Sequence, residues 1–176
     1  MNTTYQPELQ AAYINNNRIK MKKIMAVIIM SFFYLFIVGT VAFIVVGIPI
    51  LRIVKPEISL SISILLSLCL YQMILKYRNC YTSYFSCTNR IIYLKGFIIS
   101  ALLCIVLSLL MMEIFRLGVW GLILAQIVSQ VFYNLWHWSL LAHKELNMTS
   151  KDIILIGTGE CVNLLETFLW RKNDKV

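Results

Sequence analysis

Residues 24–51, IMAVIIMSFFYLFIVGTVAFIVVGIPIL, form an apolar run without a charged side chain. A helix rises about 1.5 Å per residue, so roughly 20 apolar residues cross the ~30 Å hydrocarbon core of a bilayer. Three further runs, 58–75, 91–112 and 119–141, approach or exceed that length. Because the runs are continuous rather than alternating, sandwich and barrel folds are disfavoured. The sequence therefore predicts an all-α integral membrane bundle of four transmembrane helices.

The composition agrees with a membrane protein. Of 176 residues, 60% are hydrophobic and 14% are charged, whereas soluble domains average about 45–50% and ~25%. The formal net charge of +8 could indicate a nucleic-acid partner, but the basic residues follow the ends of the runs. They cluster before the first run, between the second and third, and after the fourth: Arg18, Lys20, Lys22, Lys23; Lys76, Arg78, Arg90, Lys95; Lys144, Lys151, Arg171, Lys172 and Lys175.

This charge distribution predicts the orientation in the membrane. Lysine and arginine are enriched in cytoplasmic loops, so residues 1–23, the middle loop and the tail 142–176 are expected in the cytoplasm. An even number of spans in the region 24–141 agrees with that placement. The charges are thus explained by topology, and no nucleic acid is expected as a partner.

Several kinds of chemistry are disfavoured by what the runs contain. The five cysteines avoid the predicted outer loops, so no disulfide is expected. No aspartate or glutamate lies deep in a run, which argues against a proton-coupled antiporter built from these helices alone. The runs show no metal cluster and no nucleophile with a base. We therefore expect a non-enzymatic protein without a metal or cofactor.

The fourth run carries a polar stripe, formed by Gln126, Gln130 and Asn134 at i, i+4 and i+8. These positions share one face of a helix. Polar side chains inside a bilayer are costly and face the bundle interior or an aqueous cavity. Two interpretations stay open, namely hydrogen bonding between helices and the lining of a cavity.

Aromatic residues follow the second run, with Tyr77, Tyr81 and Tyr84 at i, i+4 and i+7. One interpretation is an aromatic belt at the membrane interface, with Lys76 and Arg78 reaching into water. The other is a surface on which a sugar or an isoprenoid head group stacks.

The tail 142–176 contains apolar residues at helical spacing. This pattern predicts an amphipathic helix that lies on anionic lipid. The residues that share the face are Cys161, Leu164, Leu165, Phe168 and Leu169.

The fourth run also carries a resemblance to a known family. The stretches Gly118-Val-Trp-Gly-Leu-Ile-Leu-Ala-Gln-Ile-Val-Ser-Gln130 and Tyr133-Asn-Leu-Trp-His-Trp138 resemble the last span of bacterial O-antigen and polysaccharide flippases of the multidrug/oligosaccharidyl-lipid/polysaccharide exporter superfamily. Gln6-Pro-Glu-Leu-Gln-Ala-Ala-Tyr13, Asn17-Arg-Ile-Lys20, Val46-Gly-Ile-Pro-Ile-Leu51, Asn89-Arg90 and Lys95 look similar to earlier segments of the family. The resemblance covers nearly all of residues 6–148.

The resemblance implies a fold larger than this chain. Family members have about twelve spans in two lobes, and this chain resembles the last four. It then implies part of a flippase that moves undecaprenyl-pyrophosphate-linked oligosaccharide across the bacterial inner membrane by alternating access. The implied partners are this lipid-linked oligosaccharide, membrane lipids, and the missing N-terminal spans or another copy. The alternative is a small four-span accessory or scaffold protein of cell-surface polysaccharide synthesis.

Candidate substrate-binding residues follow from that hypothesis. Arg90 and Lys95 are candidates for the pyrophosphate at the cytoplasmic mouth. Gln126, Gln130 and Asn134 are candidates for hydrogen bonds to sugar hydroxyls. For Lys95, a side chain that only extends to the membrane interface remains the alternative.

Overall fold

The computed structural model describes residues 2–54 and 61–173, and within these residues the chain is helical and contains no strand. The helices in chain order are α1 (Asn2–Ile14), α2 (Arg18–Ala42), α3 (Ile48–Val54), α4 (Ile62–Cys87), α5 (Tyr93–Leu109), α6 (Val119–Phe132), α7 (Asn134–Leu146) and α8 (Ser150–Asn173). Short π-helical segments, Phe43–Gly47 and Leu110–Ile114, connect α2 to α3 and extend α5. The prediction of an all-α fold is confirmed.

Three helical stretches within the described residues are long and apolar enough to cross a membrane. They are Arg18–Ile50, Tyr93–Ile114 and Val119–Leu146. These stretches contain the first, third and fourth predicted runs. The second run, 58–75, begins among residues outside the described part, and its remainder lies in α4. The structure therefore shows three candidate spans, and the fourth stays a prediction.

The fourth run is bent rather than continuous. Tyr133, with φ −128° and ψ −52°, separates α6 from α7. Gly96 of α5 packs against this bend, since a Cβ there would lie 2.9 Å from ring atoms of both Tyr133 and Trp138. At the bend Asn134 directs its amide toward α5, where it donates to Ser100 Oγ at 2.7 Å. Interactions with a neighbouring helix thus accompany the break in the helix.

The buried core lies at the end of the bundle where Lys22, Lys23, Arg90 and Lys144 are found, here called the basic end. It is made by α1, α2, α4, α7 and α8, and its members include Leu9, Met25, Ile29, Tyr81, Phe85, Trp138, Leu146 and Ile153. The apolar side chains of α5 are mostly exposed. Such faces suit lipid or further helices rather than water.

The C-terminal segment is a helix that packs on α2. Gly157 lies against α2, Glu160 Oε1 is 2.8 Å from Lys23 Nζ, and Cys161 Sγ is 3.5 Å from Ser31 Oγ. The predicted helix is therefore present, but Cys161 faces α2. The side chains of Leu164, Leu165, Phe168 and Leu169 lie outside the described part. Residues 142–146 of the predicted tail belong to α7.

Asparagine closes three helices at the basic end. Asn16, Asn89 and Asn147 have φ of 51°, 57° and 50°, the left-handed conformation that asparagine tolerates better than most residues. The residue after each asparagine closes the helix end with a backbone hydrogen bond five residues back, as in a Schellman motif. These bonds join Asn17 N to Ala12 O, Arg90 N to Phe85 O, and Met148 N to His143 O, each at 2.9 Å.

The start of α8 has a hydrogen bond between a carboxylate and the backbone, and its strength depends on pH. Asp152 Oδ2 accepts from Thr149 N at 2.8 Å, and Thr149 O accepts from Asp152 N at 3.0 Å. The hydrogen bond from the Thr149 N–H lowers the pKa of Asp152 below its ordinary value. The stabilisation is then fully present above the unfolded pKa, about 3.9, and is lost as pH falls through the folded pKa. Thermal unfolding at pH 6 and pH 3 should show a smaller loss of stability in Asp152→Asn than in the parent; equal losses would contradict the role of this hydrogen bond.

Two glycines lie where α6 begins, after the turn that follows α5. Gly118 has φ +54° and ψ −130°, which side chains with a Cβ rarely adopt. A Cβ on Gly121 would lie 3.1 Å from Met111 Cβ and 3.2 Å from Met111 O. The two glycines of the Gly-x-Trp-Gly motif are therefore explained by local packing and backbone geometry.

Gly118→Ala is expected to destabilise the chain by about 1–2 kcal/mol, the cost of a strained backbone conformation. The matched control is Gly39→Ala in α2, where a Cβ would meet nothing within 4 Å. Thermal unfolding in detergent checks both variants. Equal melting temperatures for Gly118→Ala and the parent would show that the turn relaxes without strain.

Candidate functional site

A polar cluster joins α4, α5 and the bent helix α6–α7. Arg78 of α4 donates from Nη1 to Gln130 Oε1 at 2.6 Å. Its Nε and Nη2 donate to Asn79 Oδ1 at 3.3 and 2.9 Å. The guanidinium also lies 4.2 Å from the centroid of the Phe97 ring, within the range of a cation–π contact. A half-buried cation is thus held against the polar stripe of the fourth run.

Asn134 is the centre of this cluster and is fully buried. Its Nδ2 donates to Ser100 Oγ at 2.7 Å and to Gln130 Oε1 at 3.1 Å. Its Oδ1 accepts from Trp138 Nε1 at 3.1 Å. All the hydrogen-bonding groups of the Asn134 amide are therefore engaged inside the bundle.

Helical spacing brings these groups together. Gln130, Asn134 and Trp138 are four residues apart, so they share one face across the bend. Gly96 and Ser100 of α5 show the same spacing, and Ser100 Oγ donates to Gly96 O at 2.9 Å. Gly96 lets α5 approach the bend between α6 and α7, and Ser100 Oγ accepts the hydrogen bond from Asn134 Nδ2. The cluster thus forms where a face of α5 with i, i+4 spacing packs against a face of α6–α7 with the same spacing.

The structure unites two of the three predicted stripe residues. Gln130 and Asn134 belong to the cluster, whereas the Gln126 side chain shows no hydrogen bond within the described part of the chain. The Gln126 backbone carbonyl accepts from Ser129 Oγ at 2.9 Å. Gln126 is half-buried. It lies two turns from Asn134 and is available to another partner.

The two predicted phosphate cations lie elsewhere. Arg90 Nη1 is 2.7 Å from Glu145 Oε1, and Tyr84 Oη donates to Glu145 Oε2 at 3.3 Å. Arg90 therefore joins the α4–α5 loop to the end of α7, with its charge already matched. Lys95 is exposed near the start of α5, and among the described residues it forms no ion pair.

Two of the predicted aromatic residues of α4, Tyr81 and Tyr84, face the protein interior. Tyr81 and Tyr84 are 0% and 3% exposed, so they form neither a belt facing lipid nor an open stacking surface. Tyr81 Oη lies 3.0 Å from Tyr77 Oη and 3.1 Å from His143 Nε2. The three side chains form a hydrogen-bonded chain between α4 and α7.

A groove of about 570 Å³ lies beside these tyrosines, between α2, α4, α7 and α8; we call it the inner groove. Its lining is mostly apolar and includes Ile29, Phe33, Ile37, Met73, Tyr77 and Ile154. A second crevice of about 580 Å³ lies further along α2 and α4, with Thr40 and Gln72 among its lining residues. Both openings are suited to apolar chains more than to water.

Arg78, Ser100 and Trp138 are site residues that sequence reasoning did not identify. The sequence predicts that Arg78 reaches into water. Its spacing from the tyrosines does not indicate the hydrogen bond to Gln130. The pairing depends on the relative rotation of α4 and α6. That rotation is set by packing, which a single sequence does not display.

None of the protein-family models, curated proteins or solved structures compared with this chain matches it. The class of protein is therefore defined here by the fold and by the polar cluster. Within the described residues the chain is all-α, with three helical stretches long and apolar enough to cross a membrane and a buried polar cluster between its helices, which is consistent with a membrane protein.

Proposed function

We propose that the chain is the C-terminal part of a flippase for lipid-linked oligosaccharides in a bacterial inner membrane. It crosses the membrane four times, with the basic end in the cytoplasm. It works without enzymatic chemistry, together with the missing N-terminal spans or another copy. The substrate is an undecaprenyl-pyrophosphate oligosaccharide, which must be shielded from hydrocarbon as it crosses.

The observation that carries this proposal is the position of Arg78 on the polar stripe. A guanidinium has five N–H donors, and three hydrogen bonds use one N–H each of Nε, Nη1 and Nη2. Two N–H groups of Arg78 therefore have no hydrogen-bond partner among the described residues and can bind a ligand. Arginine suits phosphate oxygens, and the neighbouring amides of Gln126 and Gln130 suit hydroxyl groups. Arg78 therefore joins Arg90 and Lys95 as a candidate for the pyrophosphate.

A scaffold or accessory protein of polysaccharide synthesis is the second candidate. It is favoured by the completeness of the cluster, because among the described residues no buried side-chain nitrogen or oxygen lacks a hydrogen-bond partner. A cluster that satisfies itself is what helix packing alone requires. The two candidates differ in whether substrate contacts the stripe.

Photo-cross-linking separates them. A photoreactive amino acid is placed at Gln126, with a matched position at Ile105 on the exposed face of α5. Membranes are supplied with a radiolabelled polyprenyl-pyrophosphate oligosaccharide, with the N-terminal spans of a flippase co-expressed. The proposal predicts substrate labelling at position 126 well above that at 105. Equal labelling at both positions would favour the scaffold.

Complementation provides the second readout. In a strain that lacks its own flippase, the chain is expected to restore surface polysaccharide only with the N-terminal spans present. Restoration by the chain alone would contradict the fragment interpretation. If polysaccharide were restored neither by the chain alone nor with the N-terminal spans, and if positions 126 and 105 were labelled equally, the scaffold function would be supported.

A further inference from the structure

The inner groove has the length of one membrane leaflet. Along α2 its lining extends from Ile29 to Ile37, which is about 12 Å at 1.5 Å per residue. Half of a ~30 Å hydrocarbon core is about 15 Å. Its volume of about 570 Å³ is also within the ~300–1,000 Å³ range of ligand sites. The groove therefore fits a chain that ends within one leaflet better than one that continues across the bilayer.

Polar groups are found at the basic end of the same groove. Ser150, His143 and Tyr81 belong to its lining. His143 and Tyr81 are hydrogen-bonded to each other, and Tyr81 is bonded to Tyr77. An apolar channel with a few polar groups at one end is the pattern expected for an amphipathic ligand.

Two lysines add positive charge at this end. Lys22 lies seven residues before Ile29, on the same face of α2, and its Nζ donates to Asn147 O at 2.8 Å. This bond places the ammonium beside the segment between α7 and α8, and α8 begins three residues after Asn147, at Ser150. Lys151 is exposed and precedes Ile154 by three residues on α8. The carboxylate of Asp152, which accepts the Thr149 N–H, lies within electrostatic reach of Lys22.

We propose that the inner groove binds one acyl chain of an anionic phospholipid, with the phosphate beside Lys22 and Lys151. The apolar lining buries the chain, and the excess of positive charge selects the anionic head group. The length of the groove distinguishes this occupant from a polyprenyl chain. This site is separate from the polar cluster of Arg78, so it does not depend on the transport proposal.

Native mass spectrometry tests the selectivity. The purified chain is released from nanodiscs that contain equal amounts of phosphatidylglycerol and phosphatidylcholine with identical acyl chains. We expect one retained phosphatidylglycerol per chain and little phosphatidylcholine. Equal retention of the two lipids, or retention of neither, would overturn the proposal.

Charge variants on one helix locate the head group. Lys22→Gln is expected to lower phosphatidylglycerol retention about fivefold, since a lysine near an anionic surface contributes roughly that factor. Lys20→Gln is the matched control, because Lys20 lies nine residues before Ile29 and thus on the opposite face of α2. Lys151→Gln is the second variant, used if Lys22→Gln unfolds. An equal effect of Lys20→Gln would overturn the assignment of the head group.

Blocking the groove tests the chain site itself. Ile154→Trp fills the groove from a side chain that is 58% exposed, and Ile105→Trp adds the same bulk at a side chain that is 59% exposed on α5. Retention should be lost in Ile154→Trp and kept in Ile105→Trp. Unchanged retention in Ile154→Trp would show that the lipid binds elsewhere.

Discussion

Asn134→Leu is expected to lower the free energy of unfolding by about 2 kcal/mol. The substitution removes three hydrogen bonds, and hydrogen bonds between side chains in membrane proteins average about 0.6 kcal/mol each. It also leaves the buried Trp138 Nε1–H without its acceptor, whereas Ser100 Oγ keeps its hydrogen bond to Gly96 O. Unfolding by sodium dodecyl sulfate in mixed micelles, followed by circular dichroism, measures the change.

Gln126→Leu is the matched control on the same helix face. Its side chain lies outside the cluster, so the free energy of unfolding should change by less than about 0.5 kcal/mol. A loss of similar size in both variants would mean that the stripe as a whole, and not the Asn134 cluster, stabilises the bundle. An unchanged Asn134→Leu would contradict the cluster outright.

Gly157→Ala is the second substitution with a large expected effect. A Cβ at this position would clash with Met30 Cγ and would lie 2.8 Å from Ala26 O. Met30 can change its rotamer, but the Ala26 carbonyl is backbone, so α8 must move away from α2. Overpacking of this kind costs about 1–3 kcal/mol. The loss should appear as a lower melting temperature and as faster proteolysis of α8.

Gly159→Ala provides the control two residues away. It is exposed, and a Cβ there would meet nothing within 4 Å. Alanine in a helix is favoured over glycine by about 1 kcal/mol, so this variant should be stabilised or unchanged. If Gly157→Ala and Gly159→Ala had equal melting temperatures, α8 would not pack on α2 as described.

The helices themselves could be predicted from the sequence, because continuous apolar runs have few other stable forms in a bilayer. The positions where helices pack could not. Apolar side chains such as Ile29 and Ile105 look alike in sequence, yet one is buried and the other is exposed. Lipid and protein are equally apolar surroundings, so the sequence pattern does not distinguish them. The contact of α8 with α2 was missed for the same reason.

The site could be predicted only in part. The spacing of Gln130 and Asn134 predicted a shared face, and the structure confirms that they lie together. The sequence did not indicate that Arg78 joins Gln130, since no local pattern indicates a partner 52 positions away in the sequence. Gly-x-Trp-Gly carried much of the family resemblance, but its glycines are explained by the turn after α5. The motif is therefore weaker evidence for function than for local structure.

We propose that the chain crosses the membrane four times with its basic end in the cytoplasm. Single cysteines placed at Ile53, Ile91 and Phe115, all exposed positions, test it in a chain whose five native cysteines are replaced. A membrane-impermeant maleimide should label positions 53 and 115 in intact cells, and position 91 only after permeabilisation. Labelling of position 91 in intact cells would contradict the account, because α4 would then not connect the two sides of the membrane.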